Sequence, residues 1–167
     1  LGAFGMVLTF DNRYNLEFSA TGPVYYDGAV LEIKIGTGAF TDIVTAGGSF
    51  VLGGYTGPIS AAFASPIGGR QAWSAASTGF VPTQVNLPAS AAGQTVVLRW
   101  RVASDSSDAA LAPNGQWIDN VVVTGNVAGC QGTPNLCDDG NACTDDFCTQ
   151  ALLAPNCTVT GAGGTVT

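Results

Sequence analysis

The feature that most restricts the fold is a period-two alternation of apolar and polar residues, repeated in short runs and never replaced by a sustained 3.6-residue period. Met6, Leu8 and Phe10 alternate with Val7 and Thr9, and Tyr14, Leu16 and Phe18 alternate with Asn15 and Glu17. In residues 30–35, Leu31, Ile33 and Ile35 share one face against Val30, Glu32 and Lys34. In residues 96–102, Val96, Leu98, Trp100 and Val102 oppose Val97, Arg99 and Arg101. These runs predict half-buried strands with one wet face. Further strands are expected in residues 41–45, 79–86 and 117–124, with Pro82 marking an edge or a bulge because proline brings no ladder donor. About seven or eight strands separated by glycine-rich turns predict an all-β fold, an antiparallel two-sheet sandwich.

Residues 46–77 break this rhythm. They are rich in Gly, Ala and Ser and hold Phe50, Tyr55, Phe63 and Trp73 as their large aromatics. Such a stretch reads as an elaborate loop, either pinned to the sandwich by its aromatics or presenting them as a contact surface.

All five cysteines, Cys130, Cys137, Cys143, Cys148 and Cys157, fall in the last 38 of 167 residues. So short a segment cannot bury enough core to hold itself together, so it reads as a disulfide-rich unit made in an oxidising compartment. The protein is therefore expected outside the cell or on its surface. Zinc is the competing reading, weakened because the spacings of 7, 6, 5 and 9 contain no Cys-x-x-Cys pair. Five is odd, so one thiol is left over; five choices of that thiol with three pairings each leave about fifteen arrangements open. The expected organisation is a sandwich over residues 1–129, a cysteine-rich segment over 130–157 and an extended tail over 158–167.

Charge limits the partners. Twelve Asp and Glu against five Lys and Arg give a net charge of -7, and the five bases form no cluster able to neutralise phosphates. Nucleic acid is therefore not an expected partner. Residues 1–129 carry a net -3 and residues 130–167 carry -4 with no base at all. No apolar run approaches the roughly 18 residues that a membrane-crossing helix needs, so no membrane span is expected. Histidine is absent, which removes the usual general base, triad partner and zinc ligand together. A non-enzymatic role is expected. Leu1 follows no initiator and no signal-like segment, and reads as a processed or trimmed end.

Several blocks in order carry a resemblance: Leu8-Thr-Phe-Asp-Asn-Arg-Tyr-Asn-Leu-Glu17, Tyr26-Asp-Gly-Ala-Val-Leu-Glu-Ile33, Gly47-Gly-Ser-Phe50, Gly69-Arg-Gln-Ala-Trp-Ser74, Val97-Leu-Arg-Trp-Arg101, Asp105-Ser-Ser107 and Trp117-Ile-Asp-Asn-Val121. Together they resemble the MAM-like jelly-roll modules of bacterial secreted and surface proteins. The run Cys137-Asp-Asp-Gly-Asn-Ala-Cys143-Thr-Asp-Asp-Phe-Cys148 is similar to the Cys-Asp-Asp-Gly-Asn-x-Cys-Thr repeats of large bacterial surface proteins, although residues 148–157 depart from their short Asp-Pro turn. The resemblance implies an antiparallel jelly roll and a non-catalytic role in binding, adhesion or assembly.

The same blocks bring Glu17, Asp27 and Asp119 into view as a structural calcium site, since Ca²⁺ takes six to eight hard oxygens from strand ends and turns; separate solvated or turn-capping carboxylates are the alternative. A second oxygen-rich run, Asp138, Asp139, Asn141, Asp145 and Asp146, matches a calcium loop only loosely because cysteines interrupt it. Tyr25, Tyr26, Tyr55, Gln71 and Trp73 are the candidates for a sugar-binding face; each serves equally as core. Asn156-Cys157-Thr158 is a formal glycosylation sequon.

Modules of this kind start with a strand before the one containing Leu8, and here only residues 1–5 precede it, so the resemblance implies an incomplete sandwich. An incomplete sandwich exposes backbone edges that template an added strand. Residues 157–167, β-prone at both ends, rich in glycine and without side-chain charge, are the expected donor. Donation from copy to copy makes a pilus-like fibre subunit, whose partners are other copies of itself. The alternative is a carbohydrate-binding or adhesive module of a larger secreted bacterial protein, whose partners are cell-surface or environmental glycans.

Overall fold

The computed structural model describes residues 5–22, 24–106 and 115–125 in full, and residues 144–151 and 154–161 as backbone. Its strands are β1 (Met6–Asn15), β2 (Phe18–Ser19), β3 (Val24–Tyr25), β4 (Gly28–Ile35), β5 (Thr41–Asp42), β6 (Ser49–Leu52), β7 (Gly57–Pro58), β8 (Gln71–Ala72), β9 (Val81–Asn86), β10 (Val96–Ala103), β11 (Gly115–Gly125), β12 (Thr144–Ala151) and β13 (Ala154–Gly161). Helical structure among the described residues is limited to a single 3₁₀ turn, Ala89–Ala91. None of the described helices is long and apolar enough to cross a membrane. Gly5–Thr124 forms one compact unit, and the hairpin β12–β13 belongs to a second.

In the first unit two sheets pack face to face. One has the order β11-β1-β9-β6 and the other β10-β4-β5. β1 pairs antiparallel with β9, Leu8 opposite Val85, and β10 pairs antiparallel with β4 from Val96↔Ile35 to Ala103↔Gly28. The alternation read from the sequence sets the inner faces. Leu8, Phe10 and Val85 come from one sheet, and Ala29, Leu31 and Ile33 from the other, all essentially closed to solvent. Trp73 sits among them, edge-on to Phe10, Phe50 and Tyr55.

Three expectations are corrected by the structure. The run at Tyr14 is not a strand of its own: β1 continues from Met6 through Tyr14 and ends at Asn15, and Phe18 falls in β2, 43% exposed. Asn12, in the polar middle of β1, points inward, its Oδ1 accepting from Gln116 Nε2 at 3.0 Å. Residues 46–77 are not all loop, since β6 completes the first sheet beside β9. β9 is a central strand despite Pro82: the β6 ladder runs only to Leu52↔Gln84, so nothing on that side asks Pro82 for an N–H.

Glu32 differs most from its sequence reading. The alternation predicts a wet face for it, yet it is 3% exposed. The outer face of β4 is covered by the segment that carries β7 and β8, where Ile59, Ile67 and Ala72 pack on Val30 and Ala103 as a second small core. Gly28 makes that close approach possible, since a Cβ there would lie 2.6 Å from Ile59 Cδ1.

Candidate functional site

Three carboxylates meet where β1, β4 and β10 come together at one end. Glu17 follows β1, Asp27 precedes β4 and Asp105 follows β10, and one oxygen from each lies within 4.8 Å of the others. The backbone builds this cluster. The Glu17 carbonyl accepts from the N–H groups of Tyr26 and Asp27, both at 3.2 Å, and Asp27 Oδ1 accepts from Asp105 N–H at 3.0 Å. Ser74 Oγ donates to the Asp27 carbonyl at 2.6 Å, fixing the turn from the loop side. Asp27 is 4% exposed. Burial raises its carboxyl above the ordinary carboxylate range, the Asp105 N–H opposes that rise, and the neighbouring Asp105 charge adds to it.

The expected trio is thus brought together only in part. Glu17 and Asp27 converge, but their third partner is Asp105. Asp119 lies on β11, exposed, with Oδ1 accepting from Asn120 N–H at 2.8 Å, where Asn120 has a positive φ of 51°. Asp119 therefore serves a local kink in an edge strand. Asp105 was missed because an isolated loop aspartate carries no pattern; the block Asp105-Ser-Ser107 was the one available signal.

A donor set of carboxylate oxygens, with no thiol or imidazole among them, suits a hard cation such as Ca²⁺ better than zinc.

Of the sugar-face candidates, Tyr55 and Gln71 line one depression, and Trp73, Tyr25 and Tyr26 are not part of it. Trp73 is completely buried, with Nε1 donating to the Gly53 carbonyl at 2.8 Å, so it presents no face to a ligand. Tyr55 packs on Trp73 and Phe50, accepts from Leu31 N–H at 3.0 Å and donates to Asp42 Oδ2 at 3.0 Å. Burial holds its hydroxyl far above its ordinary pKa, with the Asp42 charge adding to the effect, so it stays a donor. Tyr25 lies against Gly57, and Tyr26 stands edge-on to Phe63 at 5.3 Å. Gln71 is exposed on the rim of a shallow depression of about 250 Å³ formed with Asp42, Val44, Thr45, Tyr55 and Arg70.

Beside that depression Glu32 gathers the bases of the outer face. Arg70 Nη1 lies 2.8 Å from Oε1, Arg99 Nε 2.8 Å from Oε2, and Arg101 3.9 Å from Oε1. Arg70 also pairs with Asp42 at 3.0 Å.

The open edge is the other unusual feature. Among the described residues, β10 and β11 each have a neighbour on one side only. Val96, Leu98, Trp100 and Ile118 are only partly buried there, and Val121, Val122 and Val123 are about half exposed. Trp100 Nε1, Gln116 Oε1 and Asn12 Nδ2 are buried without a hydrogen-bond partner among the described residues. Cys130, Cys137, Cys143, the acids Asp138 and Asp139, and Asn141 lie outside the described residues; Asp145, Asp146, Cys148, Asn156 and Cys157 are placed as backbone only.

No known protein family, curated protein or solved structure matches this chain.

Proposed function

We propose that the chain is a non-catalytic extracellular assembly module: a jelly roll that accepts a β-strand from a second copy along the β10 and β11 edge, so that copies join head to tail as a fibre. The strand order carries this reading. In an eight-stranded jelly roll the eighth strand lies between the first and third, with the sixth beyond the third; the seventh lies between the second and fourth, with the fifth beyond the fourth. Placing β1, β4, β5, β9, β10 and β11 as the third to eighth strands reproduces both observed orders, with β6 added beyond β9. The first and second positions, beside β11 and β10, are then the two that the described residues leave unfilled.

Physical chemistry supports filling them. An unpaired edge offers a row of backbone donors and acceptors, and each buried side-chain polar atom left without a partner costs about 1–3 kcal/mol. Trp100 and Gln116 carry such atoms on the two edge strands, and Asn12 on the strand beside β11. The expected donor, residues 157–167, is uncharged and suits an apolar edge. Its first part, through Gly161, is already paired with β12, so it would be donated as part of a hairpin or through the residues beyond Gly161. A head-to-tail contact that does not close into a ring propagates as a filament. The glycan-binding alternative loses its main aromatic, because Trp73 is spent on the core.

A double substitution, Val102→Lys with Val122→Lys, tests the edge. Both valines are about half exposed, so the two changes together should alter the stability of the folded unit by no more than about 1 kcal/mol. Light scattering on the native full chain should show assemblies for the wild type and monomers for the variant. Assemblies that survive both lysines, or a wild type that stays monomeric at high concentration, would contradict strand donation.

The carboxylates Glu17, Asp27 and Asp105 are proposed to hold a structural Ca²⁺ that ties the ends of β1 and β10 to the entry of β4. A ligand that binds only the folded chain stabilises it by about 2.7 kcal/mol at a hundredfold excess over its dissociation constant. Calcium added to chelator-stripped protein should raise the melting temperature by several degrees, and Asp27→Asn should abolish the response. An unchanged melting temperature in the stripped wild type would sink the site.

A further inference from the structure

We infer that Cys148 and Cys157 form a cross-strand disulfide that clamps the β12–β13 hairpin. Only residues 152 and 153 separate Ala151 from Ala154, and the register runs Ala151↔Ala154, Gln150↔Pro155, Thr149↔Asn156 and Cys148↔Cys157. In a hairpin with a two-residue connection the pair flanking the turn exchanges both backbone hydrogen bonds, and pairs then alternate between bonded and non-bonded. Counting outward, Ala151 and Ala154 are bonded, Gln150 and Pro155 are not, Thr149 and Asn156 are bonded, and Cys148 and Cys157 are not. The proline supports this phase independently, because Pro155 has no N–H and is tolerated where the ladder asks for none.

A non-bonded antiparallel pair holds its Cα atoms about 4.5 Å apart, and a disulfide spans Cα separations of roughly 4.4–6.8 Å, so the two positions can be bridged without moving the backbone. The two thiols lose two electrons and two protons to a disulfide oxidant such as oxidised glutathione, which leaves as two thiols. Fixing this bond reduces the about fifteen possible arrangements to three, since the remaining bond and the odd thiol are distributed among Cys130, Cys137 and Cys143. The odd thiol therefore lies upstream of the hairpin, where it is the candidate for a bond to another chain.

Peptide mapping of the native full chain tests the pairing. The protein is exposed to oxidised glutathione, its free thiols are alkylated without reduction, and it is digested with pepsin, which cuts beside Leu152 and Leu153 and so separates the two cysteines along the chain. The expected product is one disulfide-linked peptide pair, Cys148 on one member and Cys157 on the other, that falls into two fragments on reduction. Either cysteine linked to Cys130, Cys137 or Cys143, or both recovered alkylated, would overturn the assignment. Cys148→Ser gives a second readout: it should expose exactly one additional alkylatable thiol, Cys157, whereas an unchanged thiol count would contradict the pair.

Discussion

Trp73→Ala should destabilise the sandwich by about 3–5 kcal/mol, the range for deleting a large buried aromatic. The ring has no solvent exposure and meets Phe10, Phe50 and Tyr55 edge-on at centroid distances of 6.0, 5.4 and 4.9 Å. Its surroundings cannot easily collapse into the space, because the Trp73 backbone is bonded in both directions to Ala29 at 2.9 Å and so is held to β4. The indole N–H also satisfies the carbonyl of Gly53, whose φ of 66° and packing against Pro82 and Thr83 leave little freedom to turn elsewhere. Trp73→Phe should cost less, about 1–3 kcal/mol, since it keeps most of the apolar volume and loses the hydrogen bond. Denaturant midpoints at unchanged slope measure both changes. An alanine variant within about 1 kcal/mol of wild type would contradict the placement of Trp73 in the core.

Glu32→Gln should cost about 2 kcal/mol at neutral pH, below the 3–5 kcal/mol typical of breaking a buried pair, because its partners are partly screened by solvent. Arg70 is 29% exposed and Arg99 43%, while the Glu32 side chain is 5% exposed. Burial alone would raise the Glu32 carboxyl. The hydrogen bonds and charges of Arg70 and Arg99 together outweigh burial and hold it below the ordinary 4.5. A carboxyl depressed in the folded state contributes stability that is complete above its unfolded value and is lost as pH falls through its folded value. The difference between wild type and Glu32→Gln should therefore be full at neutral pH, shrink below about pH 4.5 and vanish in stronger acid. Taking the difference removes the opposite trend from Asp27, whose raised carboxyl favours the folded state as it is protonated. A gap that stays constant into strong acid would show that the Glu32 charge contributes nothing.

The inner faces of the sandwich were legible because alternation is a local signal: Leu8 with Phe10, and Leu31 with Ile33, point inward as their spacing requires. The outer face of β4 was not, since its cover comes from residues far along the chain with no periodicity of their own. Glu32 and Arg70 are 38 positions apart, and nothing local links a strand glutamate to a loop arginine. The same limit separates the two halves of the candidate metal site. Glu17 and Asp27 flank neighbouring elements and were read together, whereas Asp105 reaches Asp27 across 78 positions through its own backbone N–H. Trp73 read equally well as core or ligand face, because its burial is decided by the pairing of its backbone with Ala29 and not by its neighbours in sequence.

Electron microscopy of the native, undenatured full chain tests strand donation most directly. Copies joined along the β10 and β11 edge predict filaments with a regular axial repeat one sandwich long, with density for a donated strand beside β10 or β11. Isolated particles, with that edge either bare or filled by the particle's own chain, would contradict it.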